Sequence, residues 1–285
     1  MPRKKRKRNT STTKLCSKQF PDVVNDAAIH IQNLIDQESS VKTKEWWENY
    51  VKGSKFRGAK MAVIRKAVNK VLKSETHKDV LESLESSLEL AMTLLKREMS
   101  EDRLAGILVI AEHILPSGKL DAQANWKTAL AHFGTLYDDH LIDWNTNDWF
   151  STKVLSNLVQ RIPEKREFAH CLLEWKASDS VWMRRASHVG FVMIAKQGDR
   201  WFDGFSRMLV ENMESCINKG HHHRFCQTGI GWVTRELYTA DKEIVTTFLK
   251  RNLKLFSAEG LRYALEKSDS TTKNQMMKKH KSLQV

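Results

Sequence analysis

From residue 23 onward, apolar side chains return at intervals of three and four. Segment 23–35 (VVNDAAIHIQNLI) has this spacing, as do 62–72 (AVIRKAVNKVL) and 80–99 (VLESLESSLELAMTLLKREM). The period is that of a helix with one buried face. Residues 103–115 (RLAGILVIAEHIL) are apolar nearly all round and predict a helix buried on every side. The helical period continues through 148–162, 165–176, 181–197, 201–218, 224–238, 242–252 and 258–268. No stretch sustains a period of two, so no sheet is predicted.

The segments fall into pairs of about 35–50 residues, and Trp144, Trp182 and Trp232 stand 38 and 50 residues apart in similar local settings. Pairing at that period predicts an all-α fold, a HEAT-like α-solenoid of antiparallel helix pairs that share one core and leave a concave face. A compact helical bundle is the competing architecture. Composition agrees with helices, since 285 residues include only 12 Gly and 4 Pro. No apolar run approaches the ~18 residues that cross a bilayer, and no signal-peptide core follows the start. Cys16, Cys171, Cys216 and Cys226 follow no framework spacing and read as free thiols in a reducing compartment.

Charge divides the chain. The formal net charge is +13, and residues 1–20 hold eight Lys or Arg and no acid. The remainder carries 39 basic against 34 acidic residues. Residues 1–20 therefore read as a disordered basic tail, 21–268 as one helical-repeat domain and 269–285 as a basic C-terminal tail. A basic tail on a mildly basic body suits a polyanionic partner. The run at residues 2–8 (PRKKRKR) reads as a nuclear localisation signal if the source is eukaryotic. It reads equally as a DNA-binding arm, and otherwise the chain is expected in the cytoplasm or nucleoid.

Candidate chemistry collects in four places. An early stretch runs Tyr50-Val-Lys-Gly-Ser-Lys-Phe56-Arg-Gly58. Next come DWNTNDWFSTKVL with Trp144 and Asp148, SDSVWMRRASHV with Trp182, Arg184 and Arg185, and GIGWVTRELY with Trp232 and Arg235. These motifs, in this order and spacing, resemble the AlkD-like DNA alkylation repair family from about residue 45 to 267. The resemblance implies a HEAT-like solenoid whose concave basic face holds duplex DNA, preferably alkylated. It implies a monomeric, cofactor-free and metal-free glycosylase that removes N3- and N7-alkylated purines. By match, Asp148 is the catalytic carboxylate and Trp144 and Trp232 flank the lesion, with Tyr50 joining them on the lesion side. Arg185 contacts a phosphate by the same match, and Arg184, Arg235, Lys55 and Arg57 are further phosphate candidates. Where glycosylases of the family carry a second Asp directly after the first Trp, this chain has Asn145.

The residues support that chemistry on their own terms. Alkylation at N3 or N7 makes the purine cationic and a good leaving group, so little acid catalysis is needed. What is needed is stabilisation of an oxocarbenium-like sugar, which a fixed carboxylate supplies electrostatically. If its segment is helical, Trp144 lies one turn from Asp148 on the same face, and an indole face attracts cations. Neutral lesions should then be poor substrates.

Each residue also has a plainer role. Asp148 stands before an apolar run, where Asp caps helices. Trp144, Trp182 and Trp232 could be core residues, and Trp182 fits that best. Arg235 could pair with Glu236 or with an acid on the next repeat. Cys216, His221, His222, His223 and Cys226 match no common zinc spacing, and Asp138, Asp139 and His140 read as a helix-end loop. A non-catalytic helical-repeat module that binds DNA or scaffolds a complex is the rival to the glycosylase. An RNA-reading repeat would need positions at a strict period, which are lacking.

Overall fold

A computed structural model describes residues 20–220 and 222–284. The expectations for the basic run at 2–8, for Cys16 and for His221 fall outside these residues. The described chain is all helical. Its first part comprises α1 (Phe20–Gln37), α2 (Val41–Tyr50), α3 (Met61–Leu72), α4 (Leu84–Leu95), α5 (Ser100–Val109), α6 (Gln123–Gly134) and α7 (Leu136–Asp139). The middle comprises α8 (Trp144–Phe150), α9 (Ser156–Arg161), α10 (Lys165–Leu173), α11 (Val181–Val189) and α12 (Val192–Ala195). The last part comprises α13 (Phe205–Gly220), α14 (Arg224–Leu237), α15 (Lys242–Asn252), α16 (Ala258–Ala264) and α17 (Ser270–Leu283). Among the described residues the only β feature is an isolated bridge between Lys55 and Met99, and no helix is long and apolar enough to cross a membrane.

Packing orders these helices into a row. α5 packs on α8, α8 on α11, α11 on α14, and α14 on α16. Large buried side chains meet edge-on beside the row. Trp126 meets Phe168 at 5.2 Å, Phe133 meets Phe150 at 5.2 Å, and Tyr137 meets Trp175 at 5.3 Å. Edge-to-face contact is the favoured aromatic geometry. It links α6, α7 and α8 to the Lys165–Ala177 region and fixes the back of α8.

The helix expected at 103–115 is found as α5, all ten of whose residues are buried, continued by a π-helical turn at Ile110–Ile114. α8 continues in the same way through a π turn at Ser151–Leu155. Such single π turns inside helices are frequent at functional sites. Four helices lie outside the periodic segments, one of them the single turn α7. α2 buries no residue, so it has no apolar face for a period to report. α6 buries Trp126, Ala129, Leu130 and Phe133, a helical spacing that its Thr and His neighbours dilute. The C-terminal segment read as a tail forms α17, capped by Asp269 and seated through buried Met276 and His280.

Two buried acids at the start of α5 hold the chain that follows α2. Glu101 accepts hydrogen bonds from the backbone N–H of Arg57 (2.8 Å), Gly58 (2.8 Å) and Ala59 (3.1 Å). Asp102 accepts from Arg57 Nε at 2.9 Å and Nη2 at 2.8 Å, and from Gln32 Nε2 at 2.7 Å. Buried carboxylates are tolerated only when their oxygens are satisfied in this way. Gly58 has φ +98°, and a Cβ there would lie 2.2 Å from the Ser40 carbonyl oxygen. That close approach carries a Ser40 N–H to Gly58 O bond of 3.0 Å, which ties the entrance of α2 to its exit.

α11 buries His188 completely. Burial, reinforced by the adjacent Arg185 guanidinium, pushes its pKa down to about 3. A depressed folded-state pKa contributes stability above the unfolded value, near 6.5, that is lost as pH falls toward 3. Urea unfolding of wild type should therefore weaken from pH 6.5 downward relative to His188→Leu, and a pH-independent difference between the two would contradict the burial argument. Separately, Gly58→Ala should cost about 2–3 kcal/mol in the same assay, from a left-handed backbone and a clash with a carbonyl. A loss within ~0.5 kcal/mol would show that α2 is not held there.

Candidate active site

α8 presents the carboxylate. Asp143 caps the helix, with Oδ1 accepting from Thr146 N and Oδ2 from Thr146 Oγ1, both at 2.8 Å. Asp148 therefore does not cap. It sits inside the helix, one turn after Trp144, as the spacing requires. Asn147, buried between them, donates from Nδ2 to the Trp182 carbonyl at 2.9 Å and so fastens α8 to α11.

The Asp148 carboxylate is held in two-point contact by Arg185 of α11. Nε donates to Oδ1 at 2.7 Å and Nη2 to Oδ2 at 2.8 Å. The third nitrogen, Nη1, donates across to α14, to Phe225 O at 2.6 Å and Thr228 Oγ1 at 3.2 Å. Gly229 leaves the room for this reach, since a Cβ there would stand 2.6 Å from Nη1. The Arg185 side chain is 5 % exposed and that of Asp148 is 21 % exposed. The guanidinium is thus the buried backing and the carboxylate is the face toward solvent. A planar fork matched to a carboxylate fixes both position and plane.

Around this pair lies a cleft of about 400 Å³, lined by aromatic and cationic groups from α8 itself and from three other helices. Trp144 and Trp232 both line it, as does Tyr50 from the end of α2. Tyr50 meets Trp144 edge-on at 5.3 Å. α14 contributes Phe225, Thr228, Trp232 and Arg235, spaced three, four and three apart along one face. Tyr263 of α16 closes that side.

The remaining cations are already engaged. Arg235 lines the cleft and pairs with Glu266 at 2.7 Å and Glu236 at 3.0 Å, the pairing with a neighbouring acid that its position allows. Arg184 lies outside the lining and donates to the carbonyls of Ser178 (2.6 Å) and Asp179 (2.9 Å). Arg57 is the clamp to Asp102 and Asp36, with 16 % of its side chain exposed. Lys55 stays exposed and pairs with Glu98 at 2.5 Å. Arg185 is turned inward, onto Asp148 rather than outward. Trp182 packs on Phe225 at 4.9 Å and against the core. Asn145 is buried and lies outside the cleft lining.

Sequence reasoning missed Arg224, Phe225, Thr228 and Tyr263. The first three were legible from the spacing on α14 once Trp232 and Arg235 were assigned to one face. Arg224 pairs with Glu259 at 2.8 Å, and Glu259 is held below the usual carboxylate range by that bond. Tyr263 had no local signal, because only tertiary packing of α16 on α14 brings it in. Cys216 and Cys226 are buried, and burial pushes their thiols up to about 11 and about 12, so neither is poised as a thiolate ligand. Among the described residues no group of three His, Cys, Asp or Glu side chains is placed to hold a metal ion.

No curated protein and no solved structure matches the chain. The family described as DNA alkylation repair enzyme matches residues 31–268, a span that contains the row of helices and every residue lining the cleft. By that match the chain belongs to the DNA alkylation repair enzyme family.

Proposed function

We propose that this protein is a DNA glycosylase that releases cationic N3- and N7-alkylated purines from duplex DNA. The observation that carries the proposal is the Asp148 carboxylate, held by Arg185 in the lining of a cleft with indoles at Trp144 and Trp232. We read the row of helices as a HEAT-like solenoid, and its cleft side as the face that takes the DNA.

In this reading the C1′–N bond breaks heterolytically. Its electron pair passes to the alkylated purine and cancels the positive charge of that base. The sugar becomes oxocarbenium-like, and Asp148 stabilises it while the rings of Trp144 and Trp232 add cation–π attraction. Water then adds at C1′ and its proton passes to Asp148 or solvent. Preorganisation is the essential property, because a carboxylate already clamped needs no rearrangement as charge develops. Arg185 acts as a positioning residue, and tight pairing of its fork with the carboxylate leaves Asp148 little freedom to swing away. Arg224 and Arg235 are placed at the rim, where cations suit flanking phosphates once DNA competes for them. The basic run at 2–8 we propose as a nuclear import signal in a eukaryotic source.

Selectivity in this scheme comes from the lability and charge of the lesion. The purified protein should release 7-methylguanine from a duplex and leave neutral 8-oxoguanine in the same sequence context in place. Release of neither base, with duplex binding retained, would refute the glycosylase and leave a non-catalytic DNA-binding module. Arg185→Lys keeps the charge but loses the planar fork, so single-turnover release should fall roughly 10–100-fold while duplex affinity holds. An unchanged rate would contradict the positioning role.

A further inference from the structure

We infer that the outer aromatic face of α2 is a second nucleobase site, one that stacks an unpaired base of the DNA beside the cleft. The inference rests on the DNA-repair reading above and extends it to residues outside the cleft.

α2 is firmly held yet buries none of its residues. Ser40 caps its start, and Trp47 stacks on buried Phe56 at 5.5 Å with 14° between planes. That leaves Trp46 57 % exposed. Its ring is nevertheless fixed, stacked on Tyr50 at 5.2 Å with 28° between planes and against the edge of Trp47 at 4.8 Å. Tyr50 in turn meets Trp144. A continuous row of rings therefore runs from Trp46 on the surface, through Tyr50, to Trp144 in the cleft. Nothing in the packing of the core calls for Trp46, and with exposed Tyr50 it makes a contiguous aromatic patch beside the cleft, a feature that marks interaction sites.

The chemistry around the row selects the occupant. Lys42 lies one turn before Trp46, and Tyr50 one turn after it, so the three share one face of α2. Lys42 and Lys52 are exposed at the two ends of this stretch. A ligand that offers a flat ring and an anion about one helical turn, ~5–6 Å, apart fits this face, and a nucleotide does so. Paired bases in a continuous duplex hide their faces, so the site selects a base that has left the stack. An apolar protein partner fits less well, because the patch is two rings wide and bordered by charged side chains, Lys42, Glu45 and Lys52 among them. A ring preset by its neighbours binds without the entropy cost of ordering it.

The test compares two unalkylated duplexes, one fully paired and one with a single-nucleotide bulge, titrated against the full chain by fluorescence anisotropy. Wild type should bind the bulged duplex more tightly. Trp46→Ala and Trp46→Leu should each lose roughly 10–100-fold of bulged-duplex affinity, with the paired duplex unchanged, and Trp46→Phe should keep most of it. The leucine variant retains apolar bulk without a π face, so its loss reports stacking rather than folding. Equal loss on both duplexes, or no loss on either, overturns the second site. A Trp46-dependent dimer in sedimentation, with bulge affinity unaltered, overturns it in favour of a second copy of the chain. Failure of wild type to bind the paired duplex would instead strike the DNA-repair reading itself.

Discussion

A single guanidinium connects three of the five helices that line the site. Arg185 belongs to α11, pairs with Asp148 of α8 and donates to the Phe225 carbonyl of α14. Breaking a buried ion pair by removing one partner typically costs ~3–5 kcal/mol, because the survivor is left desolvated and uncompensated. The carboxylate that faces the cleft is thus also part of what joins the row of helices. Its geometry follows from close approach at Gly229 and from the hydrogen bond of Asn147 to the Trp182 carbonyl.

The other wall of the cleft depends on an analogous device. Glu101 and Asp102 are buried at the start of α5 and hold residues 57–59 by backbone and guanidinium bonds. Those bonds fix α2, and α2 carries Tyr50 to the edge of Trp144. A buried guanidinium therefore positions the catalytic candidate, and satisfied buried acids position the aromatic wall that Tyr50 carries. Local rigidity is what electrostatic stabilisation of a transient cation demands, since a mobile carboxylate would be solvated and weakened.

Much of this was legible in the residues. The period of three and four marked most helices, and the all-apolar 103–115 segment marked the central one. Trp144 and Asp148 share a face by spacing alone, and so do Trp232 and Arg235. What the spacing could not show is which cation is buried. Arg184 and Arg185 are adjacent, and only packing turns one to Asp148 and the other to the carbonyls of Ser178 and Asp179. Arg57 looked like a surface cation because its partners Asp36 and Asp102 lie on other helices. α2 escaped because a helix without a buried face has no hydrophobic period, and α17 because its lysines mask two buried positions.

The central claim is that the Asp148 charge, rather than its bulk or its place in the fold, drives base release. Asp148→Asn keeps the shape, and the measurement is single-turnover release of 7-methylguanine from a duplex beside duplex affinity. The account predicts a fall of roughly 100-fold or more in release with affinity preserved. Release at the wild-type rate by Asp148→Asn would contradict it.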